Sequence, residues 1–228
     1  MPRPPRTIVL SLPHHVTLRG NNRRKLFAYG PEYQTFLSLV ANGLSKTGCA
    51  LHALSLMTNH VHMLVTPFAP DALPAFVQSV SQRFAQYRNP RRGGTGKLFE
   101  QRYVSRVADT SAYLAYVTAY IDLNPHAAGL STWRGQPYPF TTLHLHAGRP
   151  ATSETLRRIW TPSSWYLSLG LTHDERAANY EDAVRRFANS GTTNAALGAP
   201  PPTASGLSDT RDAGRRRRVE RPDGTSAL

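Results

Sequence analysis

Apolar side chains recur along this chain with two different spacings, and each stretch of constant spacing marks one element. Residues 7–19 read as extended, first Thr7-Ile8-Val9-Leu10 and then His15-Val16-Thr17-Leu18-Arg19, with Pro13 interrupting the run. Gly20-Asn21-Asn22-Arg23-Arg24-Lys25 is a polar, basic turn. From Pro31, suited to a first helical position, Tyr33, Phe36, Leu37, Val40 and Leu44 keep one helical face, and Gly48 stops it. Residues 49–56 and 60–66 are short and apolar, joined by Met57-Thr58-Asn59, and predict an antiparallel strand pair. A second helix is expected over 71–89 with Phe76, Val80, Phe84 and Tyr87 on one face. The basic, glycine-rich loop 89–96 follows. A strand over 103–107 then leads to a helix capped by Thr110, with Tyr113, Leu114, Val117, Tyr120 and Ile121. Pro125 is expected to end that helix. The order β-α-β-β-α-β-α predicts an α+β fold: a ferredoxin-like antiparallel sheet with helices on one face, plus one extra helix.

Beyond residue 150 the pattern changes. Trp160 and Trp165 flank a Pro-Ser-Ser turn, and Thr172 with Glu175 forms a capping box before a helix bearing Tyr180, Ala183, Val184 and Phe187. After Ser190 few large apolar side chains remain. The expected organisation is a core domain over 1–148, a small C-terminal helical extension over 149–190, and a disordered basic tail over 191–228 that carries Arg215–Arg218.

Charge adds a partner to this picture. The 228 residues hold 27 Lys+Arg against 14 Asp+Glu, a net charge of +13. Residues 1–150 hold 16 of these bases and 5 of these acids, a balance of +11, and 24 of all 27 bases are arginine. Guanidinium forks suit phosphate, so nucleic acid is expected before membrane. A lone Cys49 excludes a disulfide framework and a cysteine-based zinc site. The N-terminus has no apolar run of signal-peptide length, which suggests a cytoplasmic protein.

Two groups of residues carry candidate chemistry. In Asn59-His60-Val61-His62, a strand sends His60 and His62 to the same face, which makes half of a divalent-metal site or else a half-exposed histidine pair. On the helix near 110–124, Tyr120 and Asn124 stand i, i+4 on one side. A phenol can attack a phosphodiester if charge on the phosphate is stabilised. Tyr113 and Tyr116 read more simply as a core stripe. The front 150 residues have only Glu32, Asp71, Glu100, Asp109 and Asp122, too few for an easy carboxylate-cluster nuclease. No phosphate-binding P-loop, dinucleotide fingerprint or GxSxG elbow occurs.

Four blocks in order carry a resemblance: His15 to Arg23, Met57-Thr58-Asn59-His60-Val61-His62, Gly96 to Tyr103, and Tyr120-Ile121-Asp122-Leu123-Asn124-Pro125-His126 on to Leu130. Together, over about residues 14–143, they resemble the REP-associated tyrosine transposases, in the single-tyrosine branch of the HUH (His-hydrophobe-His) superfamily. The resemblance implies an enzyme that cuts and rejoins single-stranded DNA beside short palindromic hairpins, acting as a monomer or homodimer. It assigns His60 and His62 to a Mg²⁺ or Mn²⁺ ion, Asn124 to the position of a third ligand, and Tyr120 to the nucleophile. His144-Leu145-His146 matches nothing catalytic and is expected to be structural. Arg19, Arg23, Arg24, Lys25, Arg88, Arg91 and Arg92 are candidates for phosphate contacts. The rival reading is a catalytically silent nucleic-acid-binding protein on the same fold.

Overall fold

The computed structural model describes residues 8–100, 102–131 and 138–189. Four strands, β1 (His14–Arg19), β2 (Ala50–Leu56), β3 (His60–Thr66) and β4 (Val104–Val107), form one antiparallel sheet in the order β2-β3-β1-β4. Helix α1 (Gly30–Thr47) joins β1 to β2, α2 (Ala72–Arg91) joins β3 to β4, and α3 (Ser111–Ala127) follows β4. This is the expected ferredoxin-like order. After α3 come α4 (Leu143–His146), within the expected core domain, and then α5 (Glu154–Ile159), α6 (Ser164–Leu167) and α7 (His173–Asn189) in the expected extension. Among the described residues no helix is long and apolar enough to cross a membrane.

Strand alternation divides the sheet into two working faces. Val16, Leu18, Val61, Met63 and Val65 join the large core with Phe36, Leu37 and Val40 of α1 and Phe76, Val80 and Phe84 of α2. Complete burial of each such side chain contributes about 1.5–3 kcal/mol. Gly43 brings α1 and α2 together: a Cβ there would stand 2.9 Å from the Phe76 ring. The opposite face presents Ala53 and Leu64 to Leu114, Val117, Tyr120 and Ile121 of α3. Helices α1 and α2 share one face as expected. The extra helix takes the other face, because β2 and β3 are apolar on both sides and need cover on both.

Helix signals read from the sequence hold at several ends. Gly48 closes α1 at φ +69°, and Thr110 Oγ1 accepts from the Tyr113 amide at 3.2 Å. Thr172 and Glu175 exchange their capping hydrogen bonds at the start of α7. Two expectations need correction. Residues 8–13 do not extend β1, which begins at His14. Pro125 does not end α3, which continues to Ala127. Near a C-terminus a proline removes a single i→i−4 bond, and the last turn is closed by the Ala128 amide on Asn124 and the Leu130 amide on Pro125. The expected tail over 191–228 lies outside the described residues.

One buried carboxylate fastens α3 to α4 and to α7 of the extension. Asp122 accepts from Thr142 Oγ1 at 2.6 Å, His146 Nδ1 at 2.6 Å and Tyr180 Oη at 2.5 Å. Thr142 also ties this cluster to the edge of β2 by accepting from the Leu54 amide at 2.9 Å. Trp160 donates to the carbonyl of His52 at 2.8 Å and packs edge-on against His146. Trp165 packs against Tyr180. Both tryptophans are therefore packing residues.

Candidate active site

The face of the sheet that meets α3 gathers the residues with chemistry. In the β1–β3 register Arg19 opposes His60, Thr17 opposes His62 and His15 opposes Leu64, so all of them look toward α3. Tyr120 comes down onto this row from α3, with its ring edge-on to His62 at 5.3 Å and to His15 at 5.7 Å between centroids. Tyr116 stacks on it from the preceding turn at 6.4 Å, and Tyr113 stacks on Tyr116 at the same spacing. Tyr120 is only 5% exposed. Burial pushes its phenol pKa up, while a hydrogen bond with the Asn124 side chain and the charge of Arg19 pull it back down. Those two groups favour the phenolate, the form a nucleophile needs.

The two histidines of the strand are held as neutral rings. Burial brings the His60 pKa down to about 4, opposed by hydrogen bonding to Asn124 and reinforced by Arg19. Burial, then His15, His60 and Arg19, hold His62 well below its ordinary value. His60 Nδ1 lies 2.7 Å from Asn59 Oδ1, an atom that can only accept, so Nδ1 carries the proton and Nε2 keeps its lone pair. His62 Nδ1 is occupied by His15 Nε2 at 2.9 Å and Thr17 Oγ1 at 3.2 Å, which leaves Nε2 as its remaining ring nitrogen. Asn124 donates from Nδ2 to the Tyr120 carbonyl at 2.9 Å, so its Oδ1 is the atom left to coordinate or accept.

Two neutral imidazoles and one amide oxygen are a chemically suitable set for a divalent cation with open positions for substrate oxygens. Among the described residues no group of three or more His, Cys, Asp or Glu is placed to hold a metal. Asp122, two residues from Tyr120, faces away into the buried Thr142–His146–Tyr180 cluster.

The basic candidates separate into two groups. Arg19 is exposed at the His60 end of β1. Arg23 is exposed in the short 3-10 turn Asn21–Arg23, beside Asn59, and Lys25 is exposed just after it. Arg24 is half-buried, its guanidinium on the carbonyls of Lys97 and Leu98. Arg91 is exposed over the Tyr87 ring. One of the expected phosphate contacts is instead spent inside the fold. Arg88 is buried, donating to the carbonyls of Leu26 at 2.9 Å and Lys25 at 2.6 Å. Arg92 is exposed and makes a two-pronged ion pair with buried Glu32 at 3.0 and 3.1 Å. A C-terminal helix end beside a loop of unpaired carbonyls attracts arginine for structural reasons.

Sequence reasoning missed His15 and Thr17 as members of this site. The signal was present, since strand alternation from Arg19 puts His15 and Thr17 on its side, but only the β1–β3 register brings them to His62.

The architecture is thus a ferredoxin-like sheet that presents a His-x-His pair to a helix-borne tyrosine. A family model described as "Transposase IS200 like" matches residues 8–124, more than half of the chain and ending on Asn124. The chain belongs to the IS200-like transposase family. No curated protein matches it. Among solved structures, a REP-associated tyrosine transposase bound to a REP hairpin is similar at 17% identity and TM-score 0.53, covering 72% of this chain and 93% of that one. A candidate transposase from Deinococcus radiodurans R1 aligns at 21% identity and TM-score 0.38, covering 52% of this chain and 95% of that one. The first of these likenesses establishes the shared fold.

Proposed function

We propose that this transposase cleaves and rejoins single-stranded DNA beside short palindromic hairpins, with Tyr120 as the covalent nucleophile. The observation that carries the reading is the convergence of Tyr120, His62 and His60 on one face: the phenol stands edge-on to His62 at 5.3 Å, His62 stands 4.9 Å from His60 between centroids, and Asn124 is anchored one turn on by its hydrogen bond to the Tyr120 carbonyl. Tyr120 Oη attacks the scissile phosphorus as the bond to the 3′ oxygen breaks. The phenolic proton leaves Tyr120 and the departing 3′ oxygen takes up a proton. The products are a 5′-phosphotyrosine and a free 3′-hydroxyl. Attack by a 3′-hydroxyl on that linkage restores a phosphodiester and returns the phenol, so joining needs neither ATP nor water.

His60 Nε2, His62 Nε2 and Asn124 Oδ1 would hold Mg²⁺ or Mn²⁺. Bound there, such an ion would supply Lewis-acid polarisation of the scissile phosphate. Arg19 adds fixed positive charge on the same face and favours the phenolate. Arg23, Arg24, Lys25 and Arg91 position the strand by phosphate contact, which orients DNA without reading its sequence. A hairpin-bearing partner is supported by the REP hairpin bound in the similar structure and by the +11 balance over residues 1–150.

Incubation with hairpin-bearing single-stranded DNA and Mg²⁺ or Mn²⁺ tests the reading. It predicts a cleaved strand with a free 3′-hydroxyl and a covalent protein–DNA band, both lost with chelator and in His60→Ala. Hairpin binding with no cleavage under either metal would instead establish a silent DNA-binding protein on this fold.

A further inference from the structure

Strand alternation sends the adjacent histidines His14 and His15 to opposite faces of the sheet. His14 lies on the Val16 and Leu18 side, with Nδ1 3.0 Å from Ser105 Oγ and Nε2 3.0 Å from the Val9 carbonyl. His15 lies on the Tyr120 side, 5% exposed, and its Nε2 stands 2.9 Å from His62 Nδ1. The two rings are nearly parallel, 28° apart with centroids at 5.1 Å.

Two imidazole nitrogens at that distance form a hydrogen bond only when one carries a proton and the other a lone pair. If His62 donates from Nδ1, its Nε2 keeps a lone pair. If His15 donates, a neutral His62 carries its own proton on Nε2 and has nothing to offer a cation. His15 and Thr17 together crowd His62 Nδ1, so Nδ1 itself is not open to a metal. The direction of this one hydrogen bond therefore decides whether His62 is a ligand at all.

We propose that His15 is a positioning residue that accepts the Nδ1 proton of His62, fixing the tautomer and ring orientation that leave His62 Nε2 available. This rests on the metal role of His62 proposed above. Residues that orient a metal-binding imidazole through its second nitrogen typically change metal affinity by about 10–100-fold when removed. Thr17 is the lesser partner, at 3.2 Å, and alone leaves the ring with a hydroxyl that can reverse its role as donor or acceptor.

The test uses the full chain, freed of metal with chelator and then titrated with Mn²⁺, free ion being followed by electron paramagnetic resonance. In parallel, ¹⁵N-histidine NMR of the metal-free protein reports which nitrogen of His62 is protonated. We expect the Nδ1–H tautomer in the wild type. Mn²⁺ binding should weaken about 10–100-fold in His15→Ala and largely return in His15→Gln, whose amide oxygen can accept the same proton. Circular dichroism checks that each variant is folded. An Nε2–H tautomer in the wild type, equal Mn²⁺ binding by His15→Ala, or no rescue by His15→Gln would overturn the proposal. His60→Ala separates the two levels of inference: if it binds Mn²⁺ like the wild type, the metal reading fails, and the tautomer of His62 alone then decides the role of His15.

Discussion

Two His-x-His pairs occur in this chain, and the fold treats them in opposite ways. His60 and His62 sit on a strand, so both project onto one face, toward Tyr120. His144 and His146 sit on the short helix α4, where positions two apart diverge by roughly 200°. His146 is consumed by Asp122 at 2.6 Å, while His144 Nε2 is buried without a hydrogen-bond partner. The same contrast runs across α3. On one side Tyr120 and Asn124 meet the imidazoles of His60 and His62, whose Nε2 atoms have no partner in the sheet. On the other side Asp122 is saturated by Thr142, His146 and Tyr180, and burial next to that carboxylate holds the Tyr180 phenol well above its usual range. Residue type is nearly the same on both sides. What separates a reactive cluster from a structural one is whether its donors and acceptors are already paired.

That comparison can be broken by substitution. The largest effect expected is on the open side: Tyr120→Phe should lower strand cleavage by at least about 10³-fold, the scale on which loss of a nucleophile acts, with little change in thermal stability. His144→Ala should leave cleavage near the wild-type rate in the same gel assay, and a loss comparable to that of His62→Ala would erase the distinction between the pairs. On the closed side the expected cost is in folding. Asp122→Ala strands His146 and Tyr180 in the interior and should cost about 3–5 kcal/mol, read by urea unfolding. Tyr180→Phe removes one hydrogen bond from the cluster and should cost about 1–3 kcal/mol.

The smallest effect is on pH dependence. Burial lowers the pKa of His14 and of His52, so both rings fold neutral. Their unfolded value is the higher one. The stability they contribute is complete above about 6.5 and is lost as pH falls through their depressed folded values. The unfolding midpoint should therefore drop between pH 7 and pH 5. His52→Gln should flatten that slope, and an unchanged slope would remove His52 from the account.

Much of the front half was legible in the sequence because its signals are local. Periodicity found β2, β3, α1 and α2, and the capping residues Thr110 and Thr172 marked helix starts. His60, His62, Tyr120 and Asn124 could be grouped from spacing and from the resemblance. What stayed hidden depends on register and on long-range packing. The part played by His15 requires β1 to pair with β3 so that Thr17 opposes His62. The Asp122–His146–Tyr180 cluster joins residues separated by 24 and 58 positions, and no local pattern announces it. Arg88 looked like a phosphate contact because exposed and buried arginines are identical in sequence. Pro125 misled because the rule against proline acts on helix interiors, and this proline falls in the final turn.

The central claim is that Tyr120 becomes covalently linked to the 5′ end of the cleaved strand. The direct measurement is to trap the protein on hairpin-bearing single-stranded DNA with Mg²⁺ or Mn²⁺, digest with protease and nuclease, and locate the nucleotide-bearing peptide by mass spectrometry. The account predicts a phosphotyrosyl nucleotide on Tyr120 and none in Tyr120→Phe. A nucleotide attached to Tyr116, Tyr113 or any other residue, or cleavage at full rate by Tyr120→Phe, would contradict it.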